Sequence, residues 1–336
     1  MSEAPTARAP SRLLGRSELE VSVVGLGCNQ LGRKVDRNGT ARLLDACQRA
    51  GVTLLDTADV YGGGGASESL LGEAMAGRRD RFVLATKFGL ELSGVDGVPD
   101  VPRGSREYIQ WAVEGSMRRL RTDHIDLYLY HQPDGITPLE ETLGAMDELV
   151  ERGLVRFLGC SNFTADQVEQ AARVASDRRL RGFVALENEY SLLNRGIEAG
   201  VAPACVRHGL GILPYFPLAR GLLTGKYRRG AEAPAASRLA GRGEVADDAT
   251  FEIIEKLERF AADRGRTVLD VAIGGLAAQP AVASVITGAT GPEQVEINAR
   301  AGQWIASADD LRALEQITPS PAPTPEADPL QGARGS

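Results

Sequence analysis

Short apolar runs alternate with longer segments of helical periodicity along most of the chain. Eight runs of four to six residues are rich in Val, Leu and Ile, and several helical segments between them open with Ser or Thr in a capping position. The predicted strands cover residues 23–28, 53–56, 82–87, 125–130, 157–160, 183–187, 211–215 and 283–286. The predicted helices include residues 40–50, 105–121, 139–151, 164–175 and 251–264. This alternation is typical of β-α-β units, which build parallel sheets.

Eight strands with crossover helices are enough to close a (β/α)8 barrel, the TIM-barrel form of the α/β class. The alternative is an open, doubly wound sheet, which carries a G-x-G-x-x-G fingerprint after its first strand. This chain instead reads GLGCNQLG from Gly25, so the sequence favours the barrel with a parallel eight-stranded sheet. Residues 12–22 surround a turn and predict a short β-hairpin that caps the bottom of the barrel.

Both ends of the chain differ in composition from its middle. Residues 1–11 are rich in Ala and Pro, and residues 319–336 form a Pro- and Ala-rich tail, so both segments are predicted to be disordered. Residues 12–318 are predicted to fold as one domain, because 336 residues with 43% hydrophobic content are enough for one barrel.

Charge and cysteine spacing narrow the classes of partner and the location. A formal net charge of -7 without a long basic run argues against a nucleic-acid partner. The first twenty residues hold no apolar signal core, and no run of about 18 apolar residues occurs, so we expect no membrane association and a cytoplasmic location. The cysteines form no C-x-x-C pair, which predicts reduced thiols and no metal site; they are Cys28, Cys47, Cys160 and Cys205.

Four polar side chains stand at or just beyond the ends of predicted strands, where barrel enzymes place catalytic groups. Asp56 ends the second strand and Tyr61 follows it, Lys87 ends the third strand, and His131 follows the fourth. A carbonyl that receives hydride needs a proton donor for its oxygen. A phenol with a pKa of ~10 is a weak proton donor at neutral pH. We expect Lys87 to lower the pKa of Tyr61 by stabilising phenolate, and Asp56 to keep Lys87 charged. His131 is predicted to orient the substrate oxygen.

Taken singly, each of these residues also has an ordinary structural interpretation. The aspartate is a possible loop or helix cap, the tyrosine a loop aromatic, the lysine a solvated strand-edge charge and the histidine a packing residue. Their joint placement on three successive strand ends favours the catalytic interpretation.

Seven segments of the chain resemble motifs of one known family. They read LLDTADVYG, ATKFG, DLYLYHQPD, GCSNF, NEYSLLNR, PLARGLLTGKY and ITGATGPEQVEIN. Together they resemble the aldo-keto reductase family over about residues 12–302. This resemblance implies a single barrel that transfers hydride from a nicotinamide cofactor to a small carbonyl without metal. It also implies a catalytic tetrad with Tyr61 as general acid, formed by Asp56, Tyr61, Lys87 and His131.

The same resemblance assigns the contacts of the cofactor. Ser161 and Asn162 match the pair that bonds the nicotinamide carboxamide, and Tyr215 matches the aromatic that stacks on the ring. The residues matching the pyrophosphate loop are Phe216, Pro217, Leu218, Arg220 and Lys226, and those matching the adenosine end are Gly288, Thr290, Gln294 and Asn298. Cys28 and Asn29 match positions beside the nicotinamide ribose, and Asp56 is also counted among the cofactor contacts. Without the family match, these positions are ordinary caps, core aromatics and solvated loop cations.

Two positions depart from the family pattern. Glu187 stands where the family usually has Gln, and an ionised Glu187 only accepts hydrogen bonds. A carboxamide NH2 group can donate to it, so we expect cofactor binding to survive with an altered pH dependence. Gly288 and Gln294 stand where many members read the 2'-phosphate with Lys and Arg. NADPH is still the expected cofactor, with NADH the less favoured one.

The sequence does not identify the carbonyl substrate or the oligomeric state. Residues 90–104 and 227–245 are long polar loops expected to cover the mouth of the barrel. Cations of the second loop either meet an acidic substrate or form a solvated lid; they are Arg228, Arg229, Arg238 and Arg242. The resemblance also leaves two alternatives open: a cofactor-binding regulatory subunit like the channel β-subunits, which share this fold, and a reductase dedicated to a nucleotide-sugar pathway.

Overall fold

Eight parallel strands form one sheet in the computed structural model, which describes residues 8–92, 94–234 and 246–321. The strands are β3 (Val24–Gly27), β4 (Leu54–Asp56), β5 (Val83–Phe88), β6 (Ile125–Tyr130), β7 (Val155–Ser161), β8 (Phe183–Glu189), β9 (Gly211–Tyr215) and β10 (Val285–Gly288). From β3 to β9 each strand pairs with the next one in the chain, and β10 pairs with β3. All eight predicted strands are therefore confirmed, with ends that differ by a few residues.

The two edges of this sheet meet between β9 and the segment before β10. The Ile212 N–H donates to the Ala281 carbonyl at 2.7 Å, and the Ala283 N–H donates to the Ile212 carbonyl at 2.8 Å. This single bridge, between Ile212 and Val282, brings the sheet round to a nearly closed barrel. The predicted (β/α)8 barrel is confirmed.

Helices surround the sheet and connect its strands. They are α1 (Arg37–Ala50), the single turn α2 (Tyr61–Gly64), α3 (Ala66–Ala74), α4 (Arg106–Leu120), α5 (Leu139–Glu151), α6 (Ala165–Arg178), α7 (Val201–His208), α8 (Asp248–Ala262), α9 (Val268–Ala277), α10 (Pro292–Ala301) and α11 (Ala308–Ile317). Short 3-10 helices cover Arg79–Arg81, Gly196–Ala199 and Ala219–Thr224. The five predicted helices are present. Two begin earlier than predicted because aspartates cap them: Asp36 accepts from the Gly39 N–H, and Asp247 accepts from the Thr250 N–H.

An N-terminal hairpin closes the bottom of the barrel, as predicted. Its strands are β1 (Ser11–Leu13) and β2 (Glu20–Ser22), which pair in antiparallel register. Leu14 and Val21 of this hairpin are fully buried and pack in one cluster with Leu54, Leu127 and Leu213 of the barrel strands. Burying these aliphatic side chains removes the inner face of the sheet from water at its lower end. The polar end of the barrel is therefore the opposite one.

The described residues include a few on the outer side of each predicted domain boundary. The Ala9 N–H donates to the Ala50 carbonyl at 2.8 Å, and Ser11 already belongs to β1. At the other end the Ser320 hydroxyl donates to Glu198 at 2.6 Å. The rest of the predicted disordered segments, residues 1–7 and 322–336, lies outside the described residues. In the part of the chain that is described, no helix combines the length and apolarity needed to span a membrane.

Close packing of α3 on α4 gives a first test of the fold. A Cβ atom added at Gly72 of α3 would lie 2.5 Å from the Arg119 backbone oxygen. We expect Gly72→Ala to lower the free energy of unfolding by about 1–3 kcal/mol, because backbone atoms must move apart. Gly144→Ala is the matched control, since a Cβ at this position of α5 meets nothing within 4 Å. It should raise stability by up to about 1 kcal/mol. Urea unfolding measures both, and equal midpoints would contradict the packing argument.

Candidate active site

The carboxyl ends of the barrel strands open into a cavity of about 880 Å³. Every predicted catalytic or cofactor-binding residue lines this cavity except Lys87, which is fully buried beside it. The lining residues among them are Cys28, Asn29, Asp56, Tyr61, His131, Ser161, Asn162, Glu187, Tyr215, Phe216, Pro217, Leu218, Arg220, Lys226, Gly288, Thr290, Gln294 and Asn298. The structure therefore brings the predicted set together, and the roles of its members remain predictions.

The Lys87 ammonium group is the centre of the predicted tetrad. Its Nζ donates to Asp56 Oδ1 at 2.6 Å and to the Thr57 carbonyl at 3.0 Å. It also lies 3.4 Å from the Tyr61 hydroxyl, within hydrogen-bonding distance. The ring of His131 meets the ring of Tyr61 edge-on, with centroids 6.0 Å apart. Tyr61 thus has its hydroxyl beside a cation and its ring against an imidazole at the cavity wall.

Tyr61 is held in place by the turn that follows it. Four consecutive glycines, residues 62–65, all have positive φ, and they carry the chain from α2 into α3. At Gly62 a Cβ would lie 2.9 Å from the Leu31 carbonyl oxygen, so a larger residue does not fit there. Beyond this turn the Ser67 hydroxyl donates to the Cys28 carbonyl at 2.9 Å. The start of α3 is thereby fixed to the end of β3.

Glu187 is a second buried carboxyl group beside the ammonium. It lies in β8 with 2% of its surface exposed, and its Oε2 is 3.3 Å from Lys87 Nζ. This oxygen finds no hydrogen-bond partner among the described residues. The sequence assigned Glu187 a contact with the cofactor alone, whereas the structure also makes it an acidic neighbour of Lys87. Two carboxyl groups therefore share one cation.

Burial determines which of these three groups is charged. It raises the pKa of Glu187, as does the charge of Asp56, and despite the opposing effect of Lys87 the value reaches about 8. Burial also raises the pKa of Asp56, against the attraction of Lys87. Burial alone would lower the pKa of Lys87, but the two carboxyl groups raise it well above its ordinary value. We assign the negative charge at neutral pH to Asp56, since its oxygen is the closer one to the ammonium. Glu187 is then largely protonated and able to donate.

Tyr61 and His131 are both neutral at neutral pH. Burial raises the pKa of Tyr61, and although Lys87 opposes this, the net shift is upward. The expectation of a lowered pKa is therefore wrong for this structure, because desolvation of the phenolate outweighs the nearby cation. Burial and Lys87 together lower the pKa of His131 to about 3. Tyr61 carries a proton to donate, and His131 Nδ1 is buried without a hydrogen-bond partner within the described chain.

The residues predicted to hold the nicotinamide form one hydrogen-bonded group. The Ser161 hydroxyl donates to the Glu187 carbonyl at 2.7 Å, and Asn162 Nδ2 donates to the His131 carbonyl at 3.0 Å. The Tyr215 hydroxyl donates to Asn162 Oδ1 at 2.8 Å. Tyr215 is half-buried, and its ring forms part of the cavity wall. The Tyr215 ring and the polar side chains of Ser161 and Asn162 line the same cavity, which fits a polar aromatic ring such as nicotinamide.

Two segments continue the cavity away from the tetrad. In the loop after β9, Phe216 and Arg220 have positive φ, and the Arg220 guanidinium lies 5.2 Å above the Phe216 ring. Neither Arg220 nor Lys226 forms an ion pair within the described residues, so both cations are available to an anion. After β10, the Thr290 N–H donates to Gln294 Oε1 at 2.6 Å, which folds the loop onto the start of α10. These features fit a dinucleotide with its phosphates in the first segment.

The arginines of the long loop after Lys226 do not line the cavity where they are described. Arg228 pairs with Glu258 at 2.9 Å, and Arg229 pairs with Asp248 and Glu255, each at 3.2 Å. Their partners all belong to α8, so these two cations fasten the loop to a helix instead of facing a substrate. The other two, Arg238 and Arg242, lie outside the described residues.

Some site residues were not predicted from the sequence. The cavity wall also contains Gln30, Lys34 and Thr224, and the Thr57 backbone carbonyl binds the ammonium. Gln30 and Lys34 follow Asn29 in one loop, and proximity to a predicted contact is the signal that points to them. No signal identifies Thr57, because any residue type supplies a backbone carbonyl.

A family model described as Aldo/keto reductase family matches residues 23–319, which include every strand of the barrel. The Uncharacterized oxidoreductase YrpG of Bacillus subtilis is 35% identical over 322 residues, 94% of this chain and 98% of that protein. A Probable voltage-gated potassium channel subunit beta of Oryza sativa is 37% identical over 301 residues, 86% of this chain and 89% of that protein. A protein of the same description from Arabidopsis thaliana is 33% identical over 329 residues, 94% of this chain and 98% of that protein.

The charge state of Glu187 predicts how stability depends on pH. Its pKa is about 8 in the folded protein against an ordinary value of 4.5. A raised folded-state pKa contributes stability that is complete below the ordinary value and is lost as pH rises through the folded value. Glu187→Gln should therefore remove a fall in unfolding free energy of about 3–4 kcal/mol between about pH 5 and pH 8.

Urea unfolding at several pH values measures this effect. Glu189→Gln is the matched control, because it makes the same change two residues along the same strand at a partly exposed position. Curves that stay parallel for the unmodified protein and Glu187→Gln would show that Glu187 ionises normally in the fold.

Proposed function

This chain belongs to the aldo/keto reductase family, a family of oxidoreductases, and from that premise we propose that it reduces a small aldehyde or ketone to an alcohol with NADPH. The observation that carries the proposal is the position of the Tyr61 hydroxyl. It is 3.4 Å from the Lys87 ammonium and forms part of the wall of the large cavity at the top of the barrel. A protonated phenol next to a buried cation is a suitable acid for a carbonyl oxygen that gains negative charge.

The side chains of the site divide the work of carbonyl reduction. When bound, a reduced nicotinamide supplies hydride, two electrons and a proton, to the carbonyl carbon. Tyr61 gives its hydroxyl proton to the carbonyl oxygen, so the product is a neutral alcohol. Lys87 stabilises the phenolate left on Tyr61, and Asp56 keeps that ammonium charged through its 2.6 Å contact. Neutral His131 donates a hydrogen bond to the same substrate oxygen and orients it. Solvent then returns a proton to Tyr61.

Residues along the cavity wall are proposed to bind successive parts of the cofactor. Ser161, Asn162 and Tyr215 would hold the nicotinamide, and the neutral Glu187 carboxyl would take the place of an amide there. Arg220 and Lys226, which have no ion-pair partner in the described chain, would meet the pyrophosphate. The loop from Gly288 to Gln294 would meet the adenosine end. The preference for NADPH over NADH is part of this proposal.

Two other functions are hypotheses beside this one: a cofactor-binding regulatory subunit and a dedicated nucleotide-sugar reductase. Relatives described as channel subunits fit a cofactor-binding regulatory role, but they do not favour it, because oxidoreductases match equally well. A reductase dedicated to a nucleotide-sugar pathway is a hypothesis that the substrate panel below tests. The cytoplasmic location is also a hypothesis, as is a small-molecule partner in place of nucleic acid or a membrane.

A binding and turnover experiment tests the proposal. Purified protein is titrated with NADPH and NADH by fluorescence, and absorbance of the reduced nicotinamide is then followed with a panel of aldehydes, ketones and sugar carbonyls. Binding of NADPH with turnover of any carbonyl supports the reductase. Binding without turnover supports the regulatory subunit or a narrow pathway substrate, and absence of binding overturns the proposal.

Tyr61→Phe tests the general acid. It should lower kcat by about 10²–10⁴-fold, because the proton donor is lost. Affinity for NADPH should stay within about a factor of two, since the hydroxyl is assigned to the substrate oxygen. Tyr108→Phe is the matched control, because it also removes a tyrosine hydroxyl. Tyr108 is a buried residue of α4 whose hydroxyl has no described hydrogen-bond partner, and it is not part of the cavity wall. A fully active Tyr61→Phe would remove Tyr61 from the mechanism.

Arg220→Met tests the assignment of the phosphates. Loss of a charged hydrogen bond to the pyrophosphate should weaken NADPH and NADH to the same extent, about tenfold. Arg228→Met, which loses a cation paired with Glu258 away from the cavity, serves as control. A loss confined to NADPH would instead place Arg220 at the 2'-phosphate. Fluorescence titration measures all four affinities.

A further inference from the structure

The cluster around Lys87 contains two carboxyl groups and one cation. The side chains of this cluster are almost completely buried, with 3% of Asp56, 0% of Lys87 and 2% of Glu187 exposed. Their charges are therefore poorly solvated by water. Asp56 already pairs with the ammonium at 2.6 Å, and Glu187 Oε2 stands 3.3 Å from the same nitrogen without a hydrogen bond to the described chain. A second negative charge here is costly unless something positive enters the cavity. Either a proton on Glu187 or a cationic ligand satisfies that requirement.

We propose that Glu187 makes this site discriminate between the two redox forms of its nicotinamide cofactor, favouring the oxidised, positively charged ring when its carboxyl group is ionised. This inference rests on the proposed function. It goes beyond that function because it concerns an equilibrium preference between two forms of one cofactor. The oxidised ring carries a positive charge and the reduced ring is neutral, so their difference in affinity responds directly to a nearby negative charge.

Glu187 is the group of this cluster whose charge changes near neutral pH. The groups that face it are Asp56 of β4, Lys87 of β5, Tyr61 of α2 and Tyr215 of β9, with the non-titrating Ser161 on β7. Burial raises the pKa of both tyrosines, so they stay neutral. His131 and Cys28 share the cavity wall, and their shifts, down to about 3 and well above the ordinary thiol pKa, also keep them neutral.

A proton balance follows from this assignment. At neutral pH the free site carries the Asp56 and Lys87 charges and a largely protonated Glu187. Binding of the oxidised cofactor should release the Glu187 proton to solvent, because the ring then provides the positive charge. Binding of the reduced cofactor should leave that proton in place. The ratio of the two dissociation constants therefore depends on pH.

The test measures NADP+ and NADPH binding to the full-length protein between about pH 6.5 and pH 9, where the affinity for the oxidised form relative to the reduced form should rise roughly tenfold. Taking the ratio cancels the titration of the phosphate groups, which both forms carry. Glu187→Gln should bind both forms with a ratio that does not change with pH, since the amide cannot ionise. Glu189→Gln, on the same strand, should behave like the unmodified protein.

The outcomes separate this inference from the proposed function. If neither nucleotide binds, the proposed function fails. If both bind and their ratio is independent of pH in the unmodified protein, only the discrimination by Glu187 is overturned. A ratio that varies with pH equally in Glu187→Gln would overturn it as well, because another group would then carry the effect.

Calorimetry provides a readout that needs no variant. Titrations at one pH near neutrality, in buffers of different ionisation enthalpy, count the protons released on binding. We expect the unmodified protein to release a larger fraction of a proton with NADP+ than with NADPH. Equal proton numbers for the two forms would overturn the proposal even if Glu187→Gln failed to fold.

Discussion

Burying the Lys87 ammonium is the constraint on which the rest of this site depends. A cation removed from water must be paired and hydrogen-bonded, or its desolvation destabilises the fold. The chain meets this requirement with groups from separate walls: Asp56 on β4, adjacent to β5, and Glu187 on β8, three strands further round the sheet. The cluster therefore connects positions across the mouth of the barrel. Its geometry is set by the closure of the whole sheet and not by any single loop.

The electrostatic character of the neighbouring groups follows from that cluster. His131 is kept neutral partly because Lys87 is near, which makes the imidazole a hydrogen-bonding group instead of a competing acid. Tyr61 is kept protonated because burial disfavours its anion more than the lysine favours it. The site is thus prepared with its proton on the phenol. In the proposed reaction the lysine matters most once that proton has left, because a phenolate then stands 3.4 Å from the ammonium that Asp56 already pairs with.

The sequence predicted the strands, the barrel and 18 of the 27 residues of the cavity wall, because parallel strands bring their carboxyl ends to one edge and the motifs follow those ends. It did not predict helix ends that depend on a capping side chain, such as Asp247. Nor did it predict that Glu187 approaches Lys87, since that contact joins residues a hundred positions apart on strands that are not neighbours. The direction of the pKa shift of Tyr61 was also missed, because it depends on burial in three dimensions.

The bridge between β9 and the segment before β10 leaves the barrel with a seam that has few hydrogen bonds across it. Cooperative opening begins where the fewest backbone bonds must break, so amide exchange and local breathing should concentrate along this line. The loops that follow β9 and β10 both contribute residues to the wall of the cavity. A dinucleotide bound by both loops would link the two edges of this seam. The barrel would then be more rigid with the dinucleotide bound than without it.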